Sequence, residues 1–411
     1  MGVRLGVTLG LLACAACTAP APTPSTPSVP TASGTFKAEG VPGSFGPLSG
    51  AKWYVDGARG SNKNDCKSPK RACKTIGHAM SLTSPGDSII VAAATYPENL
   101  NVRHSMQIIG AGAARTIVDA RHLASAFLIT HNGSVVTISG MTMRNAGGLG
   151  DGGGIYNCFT TLTIVNSVIK GSSVRKGNGA AGFGGAIYNC PGSALTIIDS
   201  LITGNTAEQG GGICNGGALT IINTTFSNNT AREHKGGGIR NYGTLTIANS
   251  TFTGNSAEGG VGGGIHNGYY IGGLGTLVMS NSTVSGNSAG GIFNLRGSTA
   301  TLQNTIVSHN MGGDCRGPMT SNGYNLSSDD TCTFGSTGDM NGTDPRLGSL
   351  HDNGGPTPTM ALFAHSPAID AGNPSGCTDG QGHLLKTDQR GKPRPDAEDA
   401  GGCDIGAYER Q

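Results

Sequence analysis

The chain has 411 residues with 71 glycines, 13% charged and 5% aromatic residues, a balance that suits turn-dense β-structure and argues against a helical protein. A formal charge of +2 supports neither a nucleic-acid footprint nor an acidic polymer as partner. There is no P-loop, helix-turn-helix or zinc-spaced Cys/His set, so nucleotide, DNA and structural-zinc functions have no foothold.

Residues 1–17 read as a secretory signal: Arg4 supplies the positive start and Leu5 to Ala13 a short apolar core, too short to span a bilayer as a helix. Leu11-Leu12-Ala13-Cys14 resembles a bacterial lipobox, which implies cleavage before Cys14 and its lipidation. Cys17 is the alternative acceptor, and a plain signal with two incidental cysteines stays open. Residues 18–50, with Pro20, Pro22, Pro24, Pro27 and Pro30 among Thr, Ser and Ala, cannot bury a core and read as an extended tether. Together these place the folded part outside the cytoplasm, on a membrane through an N-terminal lipid only.

Residues 51–110 hold the start of the fold. Trp53 to Asp56 reads as a strand, and Cys66 and Cys73 bracket a loop. Thr75 to Ser84 reads as an amphipathic helix with Ile76, Ala79, Met80 and Leu82 on one side, placed to cover an open sheet end. The segments WYVDGARGSNKNDC, KTIGHAM, PGDSIIVAAATYPENL and IIGAG resemble the opening of bacterial pectate-lyase-like right-handed β-helix proteins.

Residues 111–310 carry the organising feature. GGGIYN at Gly152 returns as GGAIYN at Gly184, GGGICN at Gly210, GGGIRN at Gly236, GGGIHN at Gly262 and GGIFN at Gly290, with isoleucines stepping by 32, 26, 26, 26 and 27 residues. Such a period means stacked units. Each unit holds three short runs of alternating, β-branched apolar residues, which predicts a three-strand coil of a parallel β-solenoid, roughly nine or ten coils in all. Three columns of asparagine are expected to ladder: Asn157 to Asn294, Asn166 to Asn304 with Asp199 among them, and Asn205 to Asn310. The GGGI..N coils are similar to repeats of polymorphic outer membrane proteins. The fold class is therefore all-β, a right-handed parallel β-helix with a short N-terminal capping helix and a loop-rich C-terminal cap.

Residues 311–411 leave the repeat. TDPRLGSLHDNGGPTPTMAL, SPAIDAGN, TDQRGKPRPD and CDIGAYE resemble the choice-of-anchor Q domain of bacterial surface β-helix proteins, which implies surface display and no particular chemistry. Most of the eleven cysteines of a secreted chain should pair. Cys66–Cys73, Cys315–Cys332 and Cys377–Cys403 are the local choices. Cys158 and Cys190 follow ladder asparagines on successive coils and should come within bridging range, leaving Cys214 unpaired.

If the isoleucine points inward, the next residue points out, giving a column of Tyr156, Tyr188, Cys214, Arg240, His266 and Phe293. An aromatic and basic stripe could stack sugar rings and pair their polar groups, so Tyr156, Tyr188, Arg240, His266 and Phe293 are the ligand-binding candidates. No catalytic residue is assigned: Asp199, Glu208, Glu233 and Glu258, the acidic residues between Gly152 and Asn310, form no pair on a strand face. No cofactor is expected; calcium on Asp314, Asp329, Asp330, Asp339 and Asp344 is the alternative. The expected function is a non-catalytic surface protein contacting extracellular glycans or cell-surface components, with a polysaccharide lyase or hydrolase as the second reading.

Overall fold

The computed structural model describes residues 50–411 apart from 178, 180, 270–272, 380–381 and 397–401, and the side chain of His234. Cys14, Cys17 and the tether lie outside the described residues. No helix among these is long and apolar enough to cross a membrane.

Short strands recur once per coil and pair in parallel with their counterparts one coil away, producing long sheets that share one interior. An eleven-stranded sheet runs from Lys52–Val55 to Thr320–Ser321, a ten-stranded sheet from Ala94–Tyr96 to Leu326–Ser327, and a nine-stranded sheet from Leu100–Val102 to Cys315–Arg316. Stacking therefore continues past Asn310, and sheets of nine, ten and eleven strands agree with the nine or ten coils expected. Five strands, from Gly147–Leu149 to Ser256–Ala257, add a fourth side to the middle coils. Glu208 and Glu233 lie on these strands.

The register is the one that the repeats dictate. Ile155, Ile187, Ile213, Ile239, Ile265 and Ile292 stack as direct partners and are at most 1% exposed. Fully burying each contributes about 1.5–3 kcal/mol. Phe226 and Phe252 stack inside with centroids 4.7 Å apart. The helix Ile76–Leu82 packs over the first strands, burying Ile76, Ala79 and Met80, whereas Leu82, expected on the same side, is exposed. Thr75 caps it, and the Glu98 carboxylate accepts from the N–H groups of Ile76 and Gly77 at 2.9 and 2.8 Å, where unpaired donors favour a negative charge.

Two of the three asparagine columns are buried ladders. Asn157, Asn189, Asn215, Asn241 and Asn267 each donate through Nδ2 to the next coil's Oδ1 at 2.7–2.8 Å, ending on Asn294. Asn205, Asn229, Asn255 and Asn287 do the same at 2.9–3.0 Å, and Asn310 hands the ladder to Asp314. The remaining Nδ2 proton of Asn255 goes to the Phe226 carbonyl, so the ladder also satisfies backbone that the turns bury. The column from Asn166 to Asn304 is different. Its members sit at φ of 46–50°, and only Asn223 to Asp199 and Asn304 to Asn281 join between coils. Asparagine is chosen there for its tolerance of left-handed backbone, not for laddering.

The first glycine of each GGGI run likewise has positive φ, 66–69° from Gly152 to Gly262. In the last run that place falls to Ala289, at φ 67°.

Cys66–Cys73, Cys158–Cys190, Cys315–Cys332 and Cys377–Cys403 are paired, and Cys214 is free and buried. Past residue 344 the chain turns back along the ten-stranded sheet instead of merely closing the end. The Thr225 hydroxyl donates to the Pro358 carbonyl at 2.6 Å, Thr251 to Gln389 Oε1 at 2.6 Å, and Asn249 to the Thr387 carbonyl at 2.8 Å. Arg394 bridges Glu409 at 2.7 Å while donating to Asn249 Oδ1 at 3.1 Å, both charged side chains fully buried. A second apolar cluster of Ile306, Leu326, Leu362, Ala368 and Ile405 fills this seam.

Replacing Ala289 by glycine should stabilise the protein by about 1 kcal/mol in urea unfolding, because glycine adopts this backbone without the Cβ penalty. Asn255→Ala should cost roughly 3 kcal/mol in the same measurement, since it strands buried donors and acceptors on both neighbouring coils.

Candidate functional site

Strand alternation places the predicted stripe on the outward side of the nine-stranded sheet, and the coil register stacks it as Leu128, Tyr156, Tyr188, Cys214, Arg240, His266, Phe293 and Arg316. It is not, however, an exposed stripe. Leu128 is exposed, and Tyr156 and Tyr188 are half-buried, with their rings 5.6 Å apart. Cys214, Arg240, His266 and Phe293 are buried. The expectation of an open aromatic and basic face is corrected for that half of the column.

What covers it comes from chain added between coils. The 32-residue step from Ile155 to Ile187 carries a loop that ends in Phe183, and the 32-residue step from Thr244 back to its partner Thr276 carries one that begins with Tyr269. Tyr242, just after a ladder asparagine, closes a third side. The Arg240 guanidinium carbon lies 4.4 Å from the Tyr269 ring centroid, 5.1 Å from Phe183 and 5.7 Å from Tyr242. Aromatic faces attract a cation, more strongly once it is desolvated. Rings accept no conventional hydrogen bond, though, and among the described residues Nε, Nη1 and Nη2 of Arg240 have no hydrogen-bond partner. Arg240 is a buried cation in an aromatic box.

Its neighbours are neutral. Burial pushes the Cys214 thiol up to about 12, against the pull of Arg240, and Tyr188 also up to about 12. Burial raises Tyr242 as well, whose hydroxyl lies 3.3 Å from that of Tyr188. His266 stacks on Phe293 with centroids 4.8 Å apart, and neither ring nitrogen has a partner. Burial, then the positive charges of Arg240 and Lys235, holds its imidazole down to about 3. Neutral thiol, imidazole and phenols around one cation provide no activated nucleophile and no charged acid–base couple.

The acidic groups do not supply one either. Asp199 accepts from Asn223 Nδ2 at 3.0 Å, Glu208 bridges Arg232 at 3.5 Å, and Glu258 is exposed. The Asp314 oxygens accept from Asn310, Ser328 and the Asp329 N–H, and those of Asp339 from Ser321, Asn325 and Ser336. Among the described residues the one group of three potential metal ligands in close reach is Cys66, Cys73 and His78, whose cysteines are bridged.

Beside the box, where the nine-stranded sheet turns into the eleven-stranded one, runs an open groove of about 610 Å³ that the sequence did not announce. Its floor is backbone at Gly192, Gly216, Gly217 and Gly243, its edge carries the exposed hydroxyls of Thr161 and Thr244, and Phe159, 58% exposed, stands at one end. None of its lining residues is titratable. Glycine is required on the floor: a Cβ on Gly216 would meet the Tyr242 ring at 2.5 Å, and one on Gly217 the Ser193 carbonyl at 2.3 Å. The sequence signal was the small residues that follow the ladder asparagines.

Residues 223–242 match the model of the Chlamydia polymorphic membrane protein repeat, which spans about one coil. No curated protein matches the chain in sequence. In structure it is similar to pectate lyase Pel9A, at 13% identity over 88% of this chain and 96% of that one, with a TM-score of 0.52. It also aligns with XylC in complex with xylose at 10% identity over 88% and 98% of the chains, TM-score 0.39. The GH136 lacto-N-biosidase from Eubacterium ramulus aligns at 10% identity over 67% and 64%, TM-score 0.34. The parallel sheets, the repeat match and the likeness to the lyase show a parallel β-helix repeat protein.

His266 is neutral when folded but takes a proton below about pH 6.5 when unfolded, so acidification from there toward pH 3 costs stability, up to roughly 1.4 kcal/mol per pH unit. His266→Phe should flatten that part of the stability profile relative to wild type, as read by urea unfolding between pH 4 and 7.

Proposed function

We infer that the protein is a surface-displayed solenoid, tethered by a lipid on Cys14 or Cys17, that contacts carbohydrate without cleaving it. The observation carrying this reading is the open groove, which joins an exposed aromatic ring to hydroxyls and backbone but contains no carboxylate, imidazole or amine. Such a lining can hold neutral polar rings by stacking and hydrogen bonding, and it lacks the groups that would move a proton. Tyr156 and Tyr188, the accessible half of the column, extend the aromatic surface. A membrane protein repeat on a rigid β-helix fits a surface protein, and the anchor-Q resemblance of residues 343–409 agrees with display at the bacterial cell surface.

Polysaccharide lyase or hydrolase action, the second reading, is favoured by fold likeness alone, and fold does not carry function. A glycan array probed with the purified full-length protein should give binding without change in the polymer. Phe159→Ala should weaken the best ligand about tenfold by calorimetry, the worth of one good stacking contact. New reducing or unsaturated ends appearing in a bound polymer would sink the non-catalytic reading.

A further inference from the structure

The buried Arg240 has a property that the carbohydrate reading does not use. Its guanidinium is wholly buried with three nitrogens unpartnered, and among the described residues no carboxylate comes within ion-pair distance. Asp151, the acidic residue on the Phe183 side, is engaged by the Phe183 N–H at 2.7 Å. Lys235, whose Nζ is 5.8 Å from the Tyr269 centroid, adds a further positive charge rather than a counter-ion. A desolvated cation without acceptors costs several kcal/mol, and cation–π contacts of about 2 kcal/mol do not replace the five donors it withholds.

The missing partner has a definite chemistry. A guanidinium presents paired parallel N–H groups that match two oxygens in a plane, so a carboxylate satisfies it best. Tyr242 separates the box from the groove: its ring packs against the groove floor at Gly216 on one side and beside Arg240 on the other. Tyr242 is therefore the side chain that stands between Arg240 and the groove. The neutral Cys214 and His266 would add no competing charge at pH 7.

We propose that Arg240 is the anchor of a carboxylate-binding site reached from the groove past Tyr242. The carboxylate belongs to a free short acid or to an acidic group on a chain lying in the groove. The site stands on the geometry of the box and is independent of whether the groove takes a glycan.

The test is thermal unfolding of the full-length protein at pH 7 in sodium acetate against sodium chloride of equal ionic strength. Acetate should raise Tm of the wild type by roughly 2 °C or more, increasing with concentration, through preferential binding to the folded state. Arg240→Met should lose that response, while Tyr242→Ala, which opens the partition, should keep or enlarge it. Equal shifts in wild type and Arg240→Met, or none in either, overturn the proposal. Should Arg240→Met fail to fold, a crystal structure of the wild type grown in acetate decides: two carboxylate oxygens about 3 Å from guanidinium nitrogens support the site, and a guanidinium touching rings alone overturns it. A carboxymethylated oligosaccharide that binds with the same Arg240 dependence identifies a chain-borne carboxylate, and a response to acetate alone identifies a free acid. Loss of neutral glycan binding would leave either result intact.

Discussion

The amide-to-amide hydrogen bond between asparagines one coil apart holds the rest of this structure in register. A single-residue slip in any coil would turn its inward isoleucine outward and break two ladders at once, so the apolar and polar columns enforce the same alignment. Ladder asparagines also serve backbone carbonyls, Asn255 that of Phe226 one coil back and Asn215 those of Gly217 in its own turn and Thr244 in the next, so that tight turns can repeat every 26 residues. Asp314 ends one ladder by accepting where an asparagine would both accept and donate, and its other oxygen accepts from Ser328.

A strict register makes the faces of the solenoid regular, and chemistry enters where regularity is broken. The groove exists because glycines fall in the turns after the ladder asparagines, at Gly192, Gly216, Gly217 and Gly243, leaving a furrow that crosses several coils. The aromatic box exists because two coils are longer than the others and fold their excess over the neighbouring strand. Both features lie next to each other, and Tyr242 borders both.

Most of the fold was legible because its information is local and repeated. Isoleucine, asparagine and cysteine positions recur at one period, and stacking converts equal sequence position into spatial contact, which is why Cys158 and Cys190 could be paired across 32 residues. The site was less legible. Alternation fixes the direction in which Arg240 and His266 point, but not what another coil's loop lays across them. The 32-residue step from Ile155 to Ile187 was visible, the second, from Thr244 to Thr276, emerged only from the strand register, and nothing in the glycine-rich composition of either revealed that Phe183 and Tyr269 would turn inward. The second asparagine column failed for a related reason: the residue that ladders best is also the one that tolerates a left-handed turn, and composition cannot separate the two uses.

The grip of residues 387–409 on Thr225, Asn249, Thr251 and Thr283 bears on how the molecule assembles. A polypeptide made amino end first presents the sequence of these coils well before the segment that clasps them emerges. Until then their flank would present bare hydroxyls and amides to solvent, and the buried Arg394–Glu409 pair could form only as the concluding event. The clasp is thus the last part of the chain to be made, and synthesis halted within it would leave these hydroxyls and amides without their partners.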